Sequence, residues 1–126
     1  MALPSDLILA DALGTPVNRT FQLAGAVKVN SSYRIDSSTT LNAARSLSVG
    51  HQLIGSAKSP TGDRHLTQWI HRVIGTDGLP YDLVLNQTLV VPRSSITRAN
   101  INDLLKFNYG FWNNSGYVDN MLINSL

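Results

Sequence analysis

The chain contains no cysteine, and its eight acidic residues are all aspartate, so glutamate is absent too. The first absence excludes disulfides and thiolate metal sites and leaves the redox compartment open. The second thins the supply of carboxylates for acid–base chemistry or metal ligation. Charged residues fill only 14% of the 126 positions, and the net charge is +2, which is compatible with a polyanion partner without arguing for one. No apolar run approaches bilayer-crossing length, so no membrane partner is expected. The opening MALPSDLILADALG is broken by Pro4 and Asp6 and carries no basic residue, so it is not read as a signal peptide. Without such a signal, the Asn-x-Ser/Thr sequences at Asn18, Asn30, Asn86 and Asn113 are read as chance.

What is present supports one modest core. The apolar fraction is 43% over 126 residues, enough for a single domain spanning 1–126 and not for two independent ones. Association of chains would ease that limit by burying surface that a small monomer leaves wet. Seven of the ten basic residues are arginine, which suits forked contacts to phosphate or carboxylate.

The order of elements is strand after strand, then helix. Asp6–Ala12 and Val17–Ala24 flank Gly14-Thr15-Pro16 as a hairpin, the N-terminal part of the chain (1–25). A meander follows over 26–92. Val27–Ile35 alternates weakly, and Asp36–Thr40 reads as a polar loop. Arg45–Ser56 alternates most clearly, with Ser46, Ser48, Gly50 and Gln52 on one face and Leu47, Val49, His51 and Leu53 on the other. Lys58–Asp63 reads as a loop, Arg64–Ile74 as a strand, and Thr76–Pro80 as a tight return. Leu83–Val91 is β-branched or apolar apart from Asn86-Gln87-Thr88, and Pro92 stops it because proline has no N–H for the ladder. Ser94 and Ser95 are candidate N-caps for an amphipathic helix with Ile101, Leu104, Leu105 and Phe111 or Trp112 on one side. Asn113–Gly116 breaks it, and Tyr117–Ile123 forms a short second helix within 94–126. Short connections imply antiparallel neighbours, so the fold class is α+β: an N-terminal hairpin, an antiparallel meander sheet and two C-terminal helices.

No catalytic constellation emerges. His51, His65 and His71 have no acidic partner at ligand spacing, so neither a metal nor another cofactor is expected. There is no phosphate loop, Gly-x-Gly-x-x-Gly or Gly-x-Ser-x-Gly elbow, so neither an enzyme nor a small-molecule substrate is expected. One sheet face is more informative. In a regular meander, Ser46, Ser48, Gly50 and Gln52 would lie beside Thr67, Trp69 and His71, with Val84, Asn86 and Thr88 from the last strand. Small hydroxyl and amide groups with an aromatic can hydrogen-bond base edges and stack a base. The same pattern also describes the wet side of an ordinary antiparallel sheet.

The order of hairpin, meander, strand-Pro-helix and short last helix, within this length, resembles the coat proteins of single-stranded RNA bacteriophages, the levivirus group. Leu85-Asn86-Gln87-Thr88-Leu89-Val90-Val91-Pro92 is similar to the family's final strand and its proline exit. Arg64-His65-Leu66-Thr67 is a second match, and the resemblance spans nearly the whole chain. It implies an intertwined homodimer in which two final strands pair into one continuous sheet and each chain's helices lie over its partner's sheet. Leu83, Leu85, Leu89, Val91, Ile101, Leu104, Leu105 and Phe111 would form that interface, and pairing would also remove an apolar edge prone to aggregation. It further implies an icosahedral capsid enclosing genomic single-stranded RNA, a location in the virion after assembly in the bacterial cytoplasm, and repression of replicase translation through an RNA hairpin.

The resemblance puts the RNA site on the inward sheet, at Ser48, Gly50, Thr67, Trp69, Val84 and Asn86. Gln52 extends that face, and Lys58 and Arg64 are candidate phosphate contacts ahead of Arg45 and Arg72, whose parity opposes it. Departures bear on specificity. Val84 stands where the best-known members place a stacking tyrosine, Trp69 stands near an expected lysine, and Gly50 replaces a hydroxyl. Packaging of RNA is therefore expected to persist while the hairpin recognised changes or specific binding weakens. Trp69 is open to stacking a base or to packing beside Tyr33 or Tyr81. The turn at Thr76–Pro80 is shorter than the family's loop at the symmetry axes. The alternative is a non-viral dimeric domain that binds RNA or peptide on the same open sheet.

Overall fold

The computed structural model describes residues 6–12, 15–24, 30–40 and 43–125. Six strands form one antiparallel sheet in sequence order: β1 (Leu7–Ala10), β2 (Asn18–Leu23), β3 (Ser31–Asp36), β4 (Arg45–Gly55), β5 (Pro60–Ile74) and β6 (Pro80–Pro92). Two helices follow, α1 (Arg98–Trp112) and α2 (Ser115–Leu122). The chain divides into two compact units, Met1–Val91 with the sheet and Pro92–Leu126 with the helices. No helix among the described residues is long and apolar enough to cross a membrane.

The first hairpin is part of the sheet: β1 pairs with β2, and β2 pairs with β3. The long arms are β4 and β5, paired from Arg45↔His71 to Ile54↔Gly62. A register shift at Ile54/Gly55 tightens the connection, so β5 begins at Pro60, inside the stretch expected to be loop. Gly55 has φ +90, and a Cβ there would meet the Thr61 backbone nitrogen and hydroxyl at 3.1 Å. Only glycine fits that bulge without strain. The β5–β6 return closes with the Gly75 N–H donating to the Leu79 carbonyl at 2.8 Å. The Asp77 carboxylate accepts from the Leu79 N–H at 3.0 Å and from the Tyr81 hydroxyl. The bond from Tyr81 holds the Asp77 carboxyl below the usual aspartate range, and the same bond raises the Tyr81 phenol.

Strand parity sorts the side chains onto two faces. One carries Phe21, Leu47 and Val49, which are the buried apolar side chains among the described residues, together with Trp69. Phe21 meets Trp69 edge to face although β3 and β4 lie between their strands, so the sheet curls towards this side. Trp69 thus packs on Phe21, not beside Tyr33 or Tyr81. Asp36, expected in a loop, ends β3 and is 1% exposed. Its carboxylate accepts from the Ser38 N–H at 2.9 Å, the Ser38 hydroxyl at 2.7 Å and Arg45 at 3.1 Å. Burial raises its pKa, but these bonds and the charges of Arg45 and Arg19 outweigh that, and the net shift is downward. Val27 and Val29, expected in β3, lie outside the described residues, as does Gly14 of the first turn.

In the helical unit the N-cap is Thr97, not Ser94 or Ser95. Its hydroxyl accepts from the Asn100 N–H at 3.4 Å, and the Asn100 side chain accepts from the Thr97 N–H at 3.0 Å, a reciprocal cap closed by asparagine where glutamate is usual. Ser94 and Ser95 are used in the bend after Pro92, where the Ile96 N–H donates to the Ser94 carbonyl at 2.8 Å. Asn114 caps α2 by accepting from the Tyr117 N–H at 3.1 Å, and Phe111 stacks on Tyr117.

Candidate nucleic-acid interface

The β4–β5 register decides which residues share the polar face. Ser46, Ser48, Gly50 and Gln52 stand opposite Ile70, Gln68, Leu66 and Arg64. The ion pair between Arg72 and Asp82, at 2.8 Å, fixes which parity of β6 joins them: Asp82, Val84, Asn86 and Thr88. From β3, Tyr33 pairs with Ser48 and Ile35 with Ser46. Ser48, Gly50, Gln52, Arg64, Val84 and Asn86 therefore come together as expected.

Thr67, Trp69 and His71 do not. They stand opposite Val49, Leu47 and Arg45, on the apolar face, because the pairing runs one residue away from the register that would have set them beside the serines. A one-residue offset moves a whole strand's side chains to the other side. Gln68 and Leu66 occupy the places that Trp69 and Thr67 were expected to fill. Arg72 is likewise corrected, since it lies on the serine face, while Arg45 lies opposite and binds Asp36.

The serine face holds an open depression of about 670 Å³ whose walls include Tyr33, Ser48, Gly50, Gln68, Asn86 and Thr88. Its groups are neutral donors and acceptors. Charge lies at the ends: the Arg64 guanidinium donates to Gln52 at 3.4 Å, and Lys58 is exposed in the β4–β5 turn. At the other end the Arg72–Asp82 hydrogen bond raises the Arg72 pKa and lowers that of Asp82, so each partially neutralises the other. Such a surface can pair with base edges more readily than with many phosphates.

The opposite face has a second hollow, of about 570 Å³, lined by Leu9, Phe21, Arg45, Trp69, His71 and Leu85. His71 Nδ1 is buried there without a hydrogen-bond partner. β6 is one of the two outer strands of the sheet, 13 residues long, and Leu83 is 60% exposed on it. In the helical unit, Leu104 is 55% and Leu105 44% exposed. Leu85 and Phe111 are also exposed, while Leu89, Val91 and Ile101 are half-buried.

No protein-family model and no curated protein matches this sequence. Solved structures do. The virus-like particle of bacteriophage ESE058 superposes with a TM-score of 0.73 at 21% identity, covering 98% of this chain and 97% of that one. The virus-like particle of Beihai levi-like virus 21 gives 0.70 at 10% identity, with 97% and 95% covered. The bacteriophage EMS014 coat protein gives 0.63 at 14% identity, with 86% and 71% covered. This chain has the RNA-phage coat-protein fold. The likeness takes in the first hairpin, the meander and both helices. At these identities it establishes architecture, and the site residues must be judged on their own geometry.

His51 and His65 are direct cross-strand partners, with Nδ1 atoms 2.7 Å apart. Only the register reveals the pair. The two positions are fourteen residues apart and have no motif between them.

Proposed function

We propose that this chain is the capsid subunit of an RNA-phage-type virion, acting as one coat-protein domain that pairs into homodimers and encloses single-stranded RNA. The observation that carries this reading is the match over nearly the full length of both chains to a subunit of a virus-like particle. The exposed apolar edge supports the dimer. A 13-residue outer strand with unpaired backbone groups and exposed leucines is a template for a second copy. Joining two β6 strands would extend the sheet to twelve strands (six from each chain). The apolar stripe of the partner's α1 would then cover Leu83, Leu85 and the hollow around Trp69.

RNA would lie on the serine face. Ser48, Gln68, Asn86 and Thr88 offer donors and acceptors to bases, and Arg64 and Lys58 offer charge to phosphate. Thr67 and Trp69 take no part. With Val84 at a position suited to a stacking ring and little net charge on the face, packaging would be only weakly sequence-selective. Repression of translation through one particular hairpin would accordingly be the weaker of the two roles. The chain needs no catalytic function in this reading.

Size-exclusion chromatography of the recombinant protein, read at 260 and 280 nm, with negative-stain microscopy of the leading peak, tests the proposal. Uniform hollow spheres carrying nucleic-acid absorbance are expected. A dimer that stays small after RNA is added would overturn the capsid reading in favour of a non-viral binding module.

A further inference from the structure

His51 in β4 and His65 in β5 are directly opposed, and their rings meet at 77° with centroids 5.0 Å apart, so they are not stacked. What brings them together is the edge of each ring: the two Nδ1 atoms are 2.7 Å apart. In an ordinary hydrogen bond one Nδ1 carries the proton and the other accepts it. The arrangement also suits a different occupant. Two imidazole nitrogens bound to one metal at about 2.0–2.1 Å, at tetrahedral or square angles, lie roughly 2.9–3.4 Å apart. A slight opening of the pair would admit the ion.

We propose that His51 and His65 form a two-imidazole site for a divalent transition-metal ion of the Cu2+, Ni2+ or Zn2+ type. Both ligands would bind through Nδ1. The proton shared between those atoms would move to an Nε2 position, leaving both rings neutral and protonated on the outer nitrogen. No proton is released where both rings are already neutral; at lower pH binding must displace one or more protons and weakens. Several features support the assignment. Both residues sit on rigid paired strands, so the ligands are pre-positioned and little ordering is required on binding. His51 is exposed and His65 half-buried, so an ion with water on its remaining positions can reach them. No group of three or more metal-ligating side chains occurs among the described residues, so the site is a bidentate clip and not a closed structural centre. It would fasten the β4–β5 hairpin close to its Gly55 bulge. This inference is independent of whether the chain assembles into shells.

The test is Cu2+ titration of the purified, untagged full-length chain, followed by electron paramagnetic resonance. One ion per chain and a signal from two imidazole nitrogens are expected. His51→Gln and His65→Gln should each weaken binding about ten- to a hundredfold, and the double variant should be little worse than either, because the clip is already lost. Copper–ascorbate treatment of the unaltered protein, with peptide mass spectrometry, should place oxidised histidine at 51 and 65. This second measurement decides the matter even if a variant fails to fold. Binding that survives both substitutions, a signal from fewer than two imidazoles, or oxidation confined to other positions would overturn the proposal.

Discussion

Phe21 of β2 lies edge to face against Trp69 of β5, with ring centroids 5.4 Å apart and planes at 85°. Adjacent strands are about 4.8 Å apart, so three strand spacings separate the two in a flat sheet by roughly 14 Å. Their contact therefore records the curl of the sheet from β2 to β5, and it makes Trp69 a packing residue. Trp69→Ala should lower stability by about 2–4 kcal/mol, towards the lower end because the ring is only half-buried. Trp69→Phe should restore most of it. Chemical denaturation measures both. RNA affinity of the folded Trp69→Phe protein should match the parent, and a loss there would return this ring to the nucleic-acid face.

Asp36 makes stability dependent on acidity. Its folded pKa is lowered, so the group contributes stability that is fully present above its unfolded value of about 3.9. That contribution disappears as pH falls through the lower folded value. The denaturation midpoint should therefore drop below about pH 4, and Asp36→Asn should flatten that acid limb while lowering stability at neutral pH. The second effect follows because Arg45 loses its charged partner. An acid limb of unchanged steepness in the Asn variant would assign the dependence to other carboxylates.

The same two residues show what was legible in the sequence and what was not. Element type and order could be read because strand alternation, the Pro92 stop and the helical stripe are local signals. Asp36 reads as loop because it is a charged residue beside Ser37 and Ser38, whereas in the fold the Ser38 bonds together with the tertiary pairing to Arg45 sustain its burial. The face that Trp69 takes is not legible, because parity within a strand says nothing about which parity of the next strand it meets. That is set by the turn, and the Gly55 bulge with its early restart at Pro60 shifts the register by an amount that composition cannot give. The His51–His65 contact was hidden for the same reason.

The β6 edge makes the proposed dimer separately testable. Leu83→Glu would put a charge on an exposed β6 position, and Leu104→Glu would do the same on α1. If each leucine is buried against a second copy, either change should weaken dimerisation by about 2 kcal/mol or more, roughly thirtyfold. The separated chain should keep its sheet by circular dichroism. Light scattering across a dilution series measures the shift. Dimers that survive both substitutions would mean that the chains pair through another surface.

For RNA the two faces give opposite expectations, which makes the corrected register open to experiment. Asn86 and Gln68 sit on the serine face and line its depression; Thr67 also borders that depression, but its pairing with Val49 turns its side chain to the opposite face. Asn86→Ala and Gln68→Ala should each weaken binding of a short single-stranded RNA by about 1 kcal/mol, the usual worth of a neutral hydrogen bond, whereas Thr67→Ala should leave it unchanged. Arg64→Ala should act differently, lowering affinity for all sequences alike and reducing the slope of log affinity against log salt by about one. Filter binding at several salt concentrations separates these effects. A uniform slope across all four variants, with Thr67→Ala the weakest binder, would mean that RNA uses the curled apolar face. In that case the serines and amides of the other side would be an ordinary solvated surface.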